Sequence, residues 1–360
     1  MNKRTPLHDW HVEHQARMVP FAGWDMPVQY SGGILAEHEH TRTKASLFDI
    51  CHMGEFIISG TNTEQALSRV VTHNLENLRQ GKSRYGFLLN TQGGILDDLI
   101  MYRLEAETFM AVVNASRRDS DLLWLLEHLP PSVKVEDVSG CTAKIDLQGP
   151  LSIDVLSRVL PENWRDLGYF SFRHSLFQGQ KILISRTGYT GELGYEVYLP
   201  SPLAEAFWEA CLADGTAVPA GLGARDTLRL EMGYPLYGHD LDEEHTPAEA
   251  GYSAMLTSKA DYIGKDRQHL VRERLTPLNI DGRRSARHND VVTTSSGETA
   301  GHVTSGSFAP SLGHCVALAY ILDHFSREDT FIVQTGKTGL PAKRAALPFY
   351  NRGSARMRLE

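Results

Sequence analysis

The sequence predicts an α+β fold followed by a small C-terminal domain of β-barrel type. Up to about Leu256, strand-like runs alternate with helical ones, whereas from about Pro277 short strands lie between Gly, Ser, Thr and Pro turns. A chain of 360 residues also exceeds what one hydrophobic core usually organises, so two or three domains are expected. The predicted domains are residues 1–260 and 277–360, separated by a charged segment.

The composition excludes several classes of protein. Apolar residues make up 41% of the chain and charged residues 22%, with no window that resembles a membrane span, which indicates a globular protein in water. The net charge of -8 argues against nucleic-acid binding, because such surfaces concentrate Lys and Arg. The four cysteines form no Cys-x-x-Cys pair, and residues 1–6 lack the apolar core of a signal peptide. We therefore expect reduced thiols and a cytoplasmic location.

Three segments of the first region are predicted to be helices. Residues 62–65 (NTEQ) form a capping-box pattern ahead of apolar residues that continue to Val71 on a helical period. The dipeptide at 201–202 (SP) is typical of a helix start, with a capping residue and a first-turn proline, and this helix should stop by Gly215. The third helix is predicted over 222–231, just ahead of a glycine.

Strand signals lie between these helices. Residues 170–177 pair naturally with 181–186 through a Gln-Gly turn, and 195–199 indicates a further strand. A fourth run, 93–102, begins with GGILDDLI and continues through Met101 and Tyr102. The first region is therefore predicted to mix strands and helices.

Two adjacent carboxylates, Asp97 and Asp98, stand at the head of the run 93–102. Ionised side chains seldom enter apolar strands without a partner, and successive strand side chains point to opposite faces. The two carboxylates therefore cannot both face one cavity. We expect one to reach solvent or a turn and the other to be free for chemistry. The alternative is an Asx-type turn after the glycines, with both carboxylates solvated.

A second candidate lies in residues 188–198 (GYTGELGYEVY), where alternation puts Glu196 and Tyr198 on one strand face. A carboxylate can accept two parallel hydrogen bonds from a planar, amidine-like edge while a neighbouring aromatic ring covers the ring face. A pterin has such an edge. The alternative is a solvated glutamate on an edge strand. Arg225 and Asp226, with Arg229 and Glu231 beyond them, are equally compatible with ion pairs on a helix surface.

Other motifs give weaker signals. The histidines His8, His11 and His14 follow an i, i+3, i+6 spacing that does not converge, and no His-Glu-x-x-His pattern occurs, so no metal site is predicted. Residues 221–226 (GLGARD) contain two of the three glycines of the dinucleotide fingerprint, which favours a tight helix entry over a cofactor loop. No nucleophile elbow of the Gly-x-Ser-x-Gly kind is present.

Together these segments resemble the T-protein, the aminomethyltransferase family of the glycine cleavage system, nearly from end to end. The resemblance is carried by residues 4–8 (RTPLH), 21–30 (FAGWDMPVQY), 47–54 (LFDICHMG), 93–100 (GGILDDLI), 147–150 (LQGP), 188–196 (GYTGELGYE), 221–231 (GLGARDTLRLE), 237–241 (YGHDL), 262–265 (YIGK) and 301–306 (GHVTSG).

The resemblance implies three domains around a central folate channel: two intertwined α+β parts within residues 1–260 and a C-terminal barrel. It implies transfer of an aminomethyl group from the lipoyl arm of the H-protein to tetrahydrofolate, as co-substrate. The products are 5,10-methylenetetrahydrofolate, ammonia and dihydrolipoyl H-protein. The family mechanism requires no metal, and the implied partner is the lipoylated H-protein.

The resemblance also implies roles for individual residues. Asp98, rather than Asp97, matches the catalytic carboxylate, which would raise the nucleophilicity of a folate nitrogen and stabilise the charge that appears as ammonia leaves. Glu196 and Arg225 match the pterin-recognition pair, and a C-terminal arginine of the family corresponds to Arg352, with Arg356 as the alternative. The other implied folate-lining residues are Met53, Tyr85, Asn114, Tyr169, Tyr189 and Tyr234.

The chain departs from the family pattern in two places, and two alternatives stay open. Residues 252–255 (YSAM) lie where many members carry a tryptophan, and 279–292 is shortened. One alternative is another tetrahydrofolate-dependent demethylase of the same fold, acting on a sulfonium or methoxy compound. The other is a non-enzymatic folate-binding factor of iron-sulfur assembly, whose Lys-Gly-Cys-Tyr-x-Gly-Gln-Glu motif is replaced here by 259–266 (KADYIGKD), without the cysteine.

Overall fold

The computed structural model describes residues 2–359, so Met1 and Glu360, at the outer ends of the two predicted domains, lie outside the described residues. The α-helices of this part of the chain are α1 (His8–Glu13), α2 (Gly33–Thr43), α3 (Thr63–Leu67), α4 (Arg118–His128), α5 (Ser152–Val159), α6 (Ala204–Leu212) and α7 (Leu222–Glu231). Between residues 2 and 359, no helix has both the length and the apolar character that a membrane crossing demands.

The strands form a hairpin, two open sheets and a barrel. In chain order they are β1 (Arg17–Phe21), β2 (Trp24–Gln29), β3 (Ala45–Asp49), β4 (Gly54–Gly60), β5 (Ser83–Leu89), β6 (Ile95–Glu105), β7 (Thr108–Val113), β8 (Val133–Asp137), β9 (Thr142–Gln148), β10 (Phe172–Phe177), β11 (Gln180–Ser185), β12 (Gly194–Pro200), β13 (Ala217–Pro219), β14 (Glu273–Ile280), β15 (Val291–Thr293), β16 (Thr299–Ala309), β17 (His314–Leu322), β18 (Thr330–Thr335) and β19 (Thr338–Arg344).

Two sheets make up the first region. One has the strand order β10-β11-β12-β9-β3-β13 and the other β5-β6-β7-β4-β8. They meet through a shared apolar cluster in which Tyr102 and Met110 of the second sheet join Phe172, Leu183 and Tyr198 of the first. Because burying this surface is favourable, the two sheets are held together and their polar strand positions are brought close.

The C-terminal part is a closed barrel with the strand order β14-β17-β16-β15-β18-β19, sealed by pairing between β19 and β14. Its interior is apolar, as the alternating pattern of β14 and β17 requires. Its first strand begins at Glu273, inside the charged segment where the sequence changes character. The predicted α+β fold with a C-terminal barrel is confirmed.

The barrel joins the first region through a buried polar contact at Asp240. The carboxylate of Asp240 accepts hydrogen bonds from Arg229 Nη1 at 2.7 Å and from Ser305 Oγ at 2.8 Å. Tyr320 donates to the backbone oxygen of Asp240 at 2.9 Å. Arg229 also makes a pair along its own helix, from Nε to Asp226 Oδ1 at 2.8 Å, whereas Glu231 pairs with Arg42 at 2.9 Å.

The predicted elements differ in how well they match. α7 has the predicted bounds, and Gly233 follows it with a φ of +69°, which only glycine adopts freely. The capping-box helix is wrong in extent, because it ends at Leu67 and Asn62 adopts a left-handed conformation without a side-chain cap. The chain then turns away so that Val71 can bridge to Leu88 of β5. At the SP dipeptide, a 3-10 turn precedes α6 and no side chain caps it.

The predicted hairpin is confirmed as β10 and β11, joined by Gln178 and Gly179 with φ of +49° and +77°. The turn before β6 is closed by Asn90, whose Oδ1 accepts from the backbone N of Gln92 at 2.9 Å and of Gly94 at 3.0 Å. The Asx-type turn thus exists, but an asparagine upstream makes it. This leaves Asp97 and Asp98 within the strand.

Candidate functional site

A cavity of about 740 Å³ lies between the two sheets, the barrel and the C-terminal tail. Its volume is within the range of small-molecule sites. Nine of the ten site residues implied by the resemblance line it, namely Met53, Tyr85, Asp98, Asn114, Tyr169, Tyr189, Glu196, Arg225 and Tyr234. Tyr252 also lines the cavity and packs against Tyr85 with ring centroids 5.8 Å apart.

Asp98 faces this cavity from β6, as strand alternation predicts. Its Oδ2 accepts from the Tyr85 hydroxyl at 2.9 Å and its Oδ1 from Asn114 Nδ2 at 2.7 Å. Burial and the neighbouring Asp97 raise the pKa of Asp98 to about 7, although the two hydrogen bonds favour the charged form. Near neutral pH this carboxyl can therefore either accept or hold a proton.

Asp97 points to the opposite face, but the expectation that it reaches solvent or a turn is wrong. It is fully buried and accepts from Asn114 N at 3.0 Å and from Asn114 Nδ2 at 2.8 Å. Burial, with Asp121 of α4 beside it, raises the pKa of Asp97 well above its usual value. We call Asp97, Asp98 and Asp121 the aspartate cluster. Asn114 links it, because its amide contacts both Asp97 and Asp98.

A second group of charges lies at another wall, with Lys144, Glu196 and Arg225 in the lining. We call Lys144 and Asp146 of β9, Glu196 of β12 and Arg225 of α7 the ion-pair cluster. Glu196 stands directly opposite Asp146, and Tyr198 opposite Lys144, in the pairing of β9 with β12. Lys144 Nζ lies 3.3 Å from Glu196 Oε1, and Arg225 Nη1 donates to Asp146. Positive and negative groups therefore alternate on this wall.

Glu196 is held ionised. Burial alone would raise its pKa, but Lys144, Thr187 and Arg225 outweigh burial and keep the pKa of Glu196 below its usual value. Its Oε2 accepts from Thr187 Oγ1 at 2.6 Å and from the hydroxyls of Tyr102 and Tyr198 at 3.3 Å each. Tyr198 therefore braces the carboxylate from the core side, rather than covering a ligand face as the sequence suggested.

Arg225 is fixed by neighbours on two sides. Besides its contact with Asp146, its guanidinium lies over the Tyr189 ring, 4.9 Å from the centroid. Tyr189 in turn stacks with Tyr234 at a centroid distance of 5.9 Å. The glycines of 221–226 serve packing, since a Cβ at Gly221 would collide with the backbone of Val28. The prediction of a tight helix entry agrees with this contact.

The C-terminal tail brings Arg356 to the cavity and leaves Arg352 outside its lining. Ser354 N donates to Glu192 Oε2 at 3.1 Å, and Ala355 N donates to Gly191 O at 3.0 Å. These bonds direct Arg356 over the ring of Tyr169, at 5.8 Å from the centroid, while Arg352 lies over Tyr350. The geometry therefore favours the alternative arginine of the two that the sequence offered.

Sequence reasoning missed Lys144 and His52, which line the cavity, and Asp146, which pairs with the lining residue Arg225. Lys144 and Asp146 lie on a strand whose sequence, TAKIDLQ, alternates polar and apolar residues, and that pattern predicts a polar strand face. His52 also lines the cavity, and burial lowers its pKa to about 4, so it is neutral at physiological pH. A lone histidine at 52 carries no comparable sequence signal.

The N-terminal histidines have polar neighbours within the protein. His11 lies between Asp49 Oδ2 at 3.0 Å and the Tyr30 hydroxyl at 2.8 Å, and His8 between Asp9 and Asp25 at 2.9 Å each. Within residues 2–359, no group of three or more His, Cys, Asp or Glu side chains has the arrangement of a metal site.

Acidic and basic groups of altered pKa, set among aromatic rings in a cavity of this size, define the site of an enzyme that acts on a small molecule. Comparison with known proteins identifies the kind of enzyme. Residues 7–260 match the GCVT N-terminal domain, and residues 273–351 match the glycine cleavage T-protein C-terminal barrel domain.

Relatives match over nearly the whole chain. The aminomethyltransferase of Rubrobacter xylanophilus is 41% identical over 358 residues, covering 97% of this chain and 95% of the relative. The aminomethyltransferase of Synechococcus elongatus is 41% identical over 363 residues, covering 97% and 96%. The crystal structure of glycine cleavage system aminomethyltransferase T from Bartonella henselae superposes with a TM-score of 0.92 at 32% identity, covering 98% of this chain and 99% of that one.

The chain belongs to the glycine cleavage T-protein family. Its activity is aminomethyl transfer in the glycine cleavage system. These comparisons favour that activity over the demethylase and the iron-sulfur assembly factor.

Proposed function

We propose that the cavity binds tetrahydrofolate and that Asp98 is the catalytic carboxylate of the transfer. The aminomethyl group would come from the lipoyl arm of the H-protein, leaving 5,10-methylenetetrahydrofolate, ammonia and dihydrolipoyl H-protein. The observation that carries the proposal is one cavity in which Asp98, with a pKa raised to about 7, shares the lining with the ionised Glu196 and with Arg225.

The raised pKa of Asp98 suits two tasks in this reaction. Its ionised form can accept the proton that an attacking folate nitrogen loses, and efficient proton transfer favours a pKa near the working pH. The same carboxylate stabilises positive charge on the carbon and nitrogen atoms as ammonia leaves, and this effect is strong where water is excluded. Tyr85 and Asn114 fix its orientation through their hydrogen bonds.

Recognition of the folate rests on charges and rings around the same cavity. Glu196 would accept a hydrogen bond from the N–H groups at one edge of the pterin, while Tyr189 and Tyr234 offer stacked aromatic surface. Met53 and Tyr169 add apolar and aromatic lining. Arg356 supplies a cation at the Tyr169 side, which suits the anionic glutamyl tail of a folate.

We propose the lipoylated H-protein as the protein partner and the cytoplasm as the location. The partner follows from the activity, because the aminomethyl group is delivered on a carrier. We also keep residues 1–260 and 277–360 as the two proposed units, with the cavity between them and the barrel residues Thr304, Ser305 and Gly306 in its wall.

The deciding experiment loads the H-protein with the aminomethyl group and measures ammonia and 5,10-methylenetetrahydrofolate with and without tetrahydrofolate. We expect both products to form in equal amounts and to require the enzyme and the folate. The matched control is the enzyme with the lipoylated but unloaded carrier. Methyl transfer to tetrahydrofolate from a sulfonium or methoxy donor, without aminomethyl transfer, would support the demethylase instead.

A further inference from the structure

Lys144 is a buried cation in the wall of the cavity. Its side chain is only 1% exposed, yet it lies among the lining residues. It is placed there by β9, where Ala143, Ile145 and Leu147 fill the core and the intervening residues turn to the other face. A lysine is rarely buried this completely unless a partner compensates for its lost hydration.

The protein uses the hydrogen-bonding capacity of this ammonium only in part. Lys144 Nζ has three N–H groups, and its contacts are Glu196 Oε1 at 3.3 Å, the thioether sulfur of Met53 at 3.4 Å and the face of Tyr198 at 5.3 Å. A thioether is a weak hydrogen-bond acceptor, and the face of an aromatic ring is not a directional hydrogen-bond acceptor. The ammonium therefore retains a donor for an acceptor that enters the cavity.

Glu196 has the complementary arrangement. Its Oε2 already accepts from Thr187, Tyr102 and Tyr198, whereas Oε1 has only the contact with Lys144. The wall thus presents an acceptor, Glu196 Oε1, and a donor, Lys144 Nζ, side by side. A 2-amino-4-oxo pteridine ring presents N–H donors and a carbonyl oxygen along one edge, which is the matching order.

We propose that Lys144 is a specificity-determining residue that donates a hydrogen bond to the 4-oxo oxygen of the folate ring while Glu196 accepts from the adjacent N–H. This inference rests on the proposed binding of tetrahydrofolate in the cavity. A 4-amino ring would place its own N–H groups against the ammonium, so Lys144 selects the 4-oxo ring. A buried donor left facing another donor is a strong basis for rejecting an analogue.

The experiment compares tetrahydrofolate with its 4-amino-4-deoxy analogue by calorimetric titration at pH 8. We expect the wild-type protein to prefer the 4-oxo ring by at least roughly 10-fold. Lys144→Met should weaken tetrahydrofolate binding roughly 10- to 100-fold and leave the 4-amino analogue unchanged or tighter, so that the preference is lost. Lys144→Gln, which retains a donor, should recover part of it. Lys134→Met, an exposed lysine on β8, is the matched control.

Each outcome is informative. Equal weakening of both ligands in Lys144→Met would show that Lys144 acts only as a counter-ion for Glu196 and would overturn the inference. Equal affinity of the wild-type protein for the two rings would also overturn the inference. This test needs no variant, so it applies even if neither substituted protein folds. If neither ring binds the wild-type protein, the proposed function fails rather than the role of Lys144.

Discussion

Asp98 of the aspartate cluster and Glu196 of the ion-pair cluster line one cavity, but the pKa values of their carboxyl groups shift in opposite directions. In the aspartate cluster, like charges adjoin one another, and the pKa of Asp98 rises to about 7. In the ion-pair cluster, Lys144 and Arg225 flank Glu196, and its pKa falls below the usual value. Burial penalises both charges, so the sign of the neighbouring charges sets the direction of these two shifts; at Asp146, by contrast, burial outweighs Arg225 and Lys144 and raises the pKa to about 6. One wall thus suits proton transfer and the other suits recognition.

The largest effect should follow from changing Asp98. Asp98→Asn keeps the shape and the contacts with Tyr85 and Asn114 but removes the titrating group. We expect turnover to fall roughly 10²- to 10⁴-fold, the usual worth of a positioned proton-transfer group, with a modest change in folate affinity. Steady-state kinetics with the loaded H-protein measures this. A similar loss in Asp97→Asn would mean that the pair acts jointly and that the two strand faces do not have separate roles.

The next largest effect concerns the ion-pair cluster. Glu196→Ala should weaken tetrahydrofolate binding by about 1.5 to 3 kcal/mol, the range for a hydrogen bond to a charged group. The variant also leaves Lys144 buried without its ion pair, so we expect lower thermal stability as well. Adding Lys144→Met to it should restore stability but not affinity. Calorimetry and thermal unfolding test both parts, and unchanged folate affinity in Glu196→Ala would remove Glu196 from the recognition site.

Strand alternation predicted much of this site from sequence, because its period of two is local. It separated Asp97 from Asp98 and placed Glu196 on the polar face of β12. It could not show that Asp97 meets Asp121, since that contact depends on how α4 packs on the sheet. The choice between Arg352 and Arg356 likewise required the path of the C-terminal tail. That path is set by a hydrogen bond to Glu192, which is far from the tail in sequence. The same alternation places Lys144 on the polar face of β9, so it could have been predicted from the sequence but was missed.

A smaller effect should appear in the pH dependence of activity. If the ionised form of Asp98 is active, kcat/KM should rise with pH through an apparent pKa of about 7. Asp97→Asn removes the neighbouring carboxyl that helps to raise this pKa, so its profile should move to lower pH by roughly one unit or less, with the plateau little changed. The pH–rate profiles of the two proteins provide the measurement. A shift to higher pH would contradict the arrangement described for the aspartate cluster.

The last prediction concerns the pH dependence of stability. The pKa of Asp98 is higher in the folded protein, at about 7, than in an unfolded chain, near 3.9, so the folded state binds the extra proton between these values. Its contribution to the free energy of unfolding is therefore present at low pH and is lost as the pH rises through this window.

Glu196 behaves in the opposite way. Its lowered pKa adds stability above the unfolded pKa, and this stability is lost as the pH falls. We expect Asp98→Asn to gain stability relative to wild type as the pH rises from 4 to 7, by on the order of a few kcal/mol, and Glu196→Gln to lose stability relative to wild type as the pH rises toward about 4.3, with little further change above it. Urea unfolding at a series of pH values distinguishes them, and slopes of the same sign would mean that neighbouring charge does not separate the two clusters.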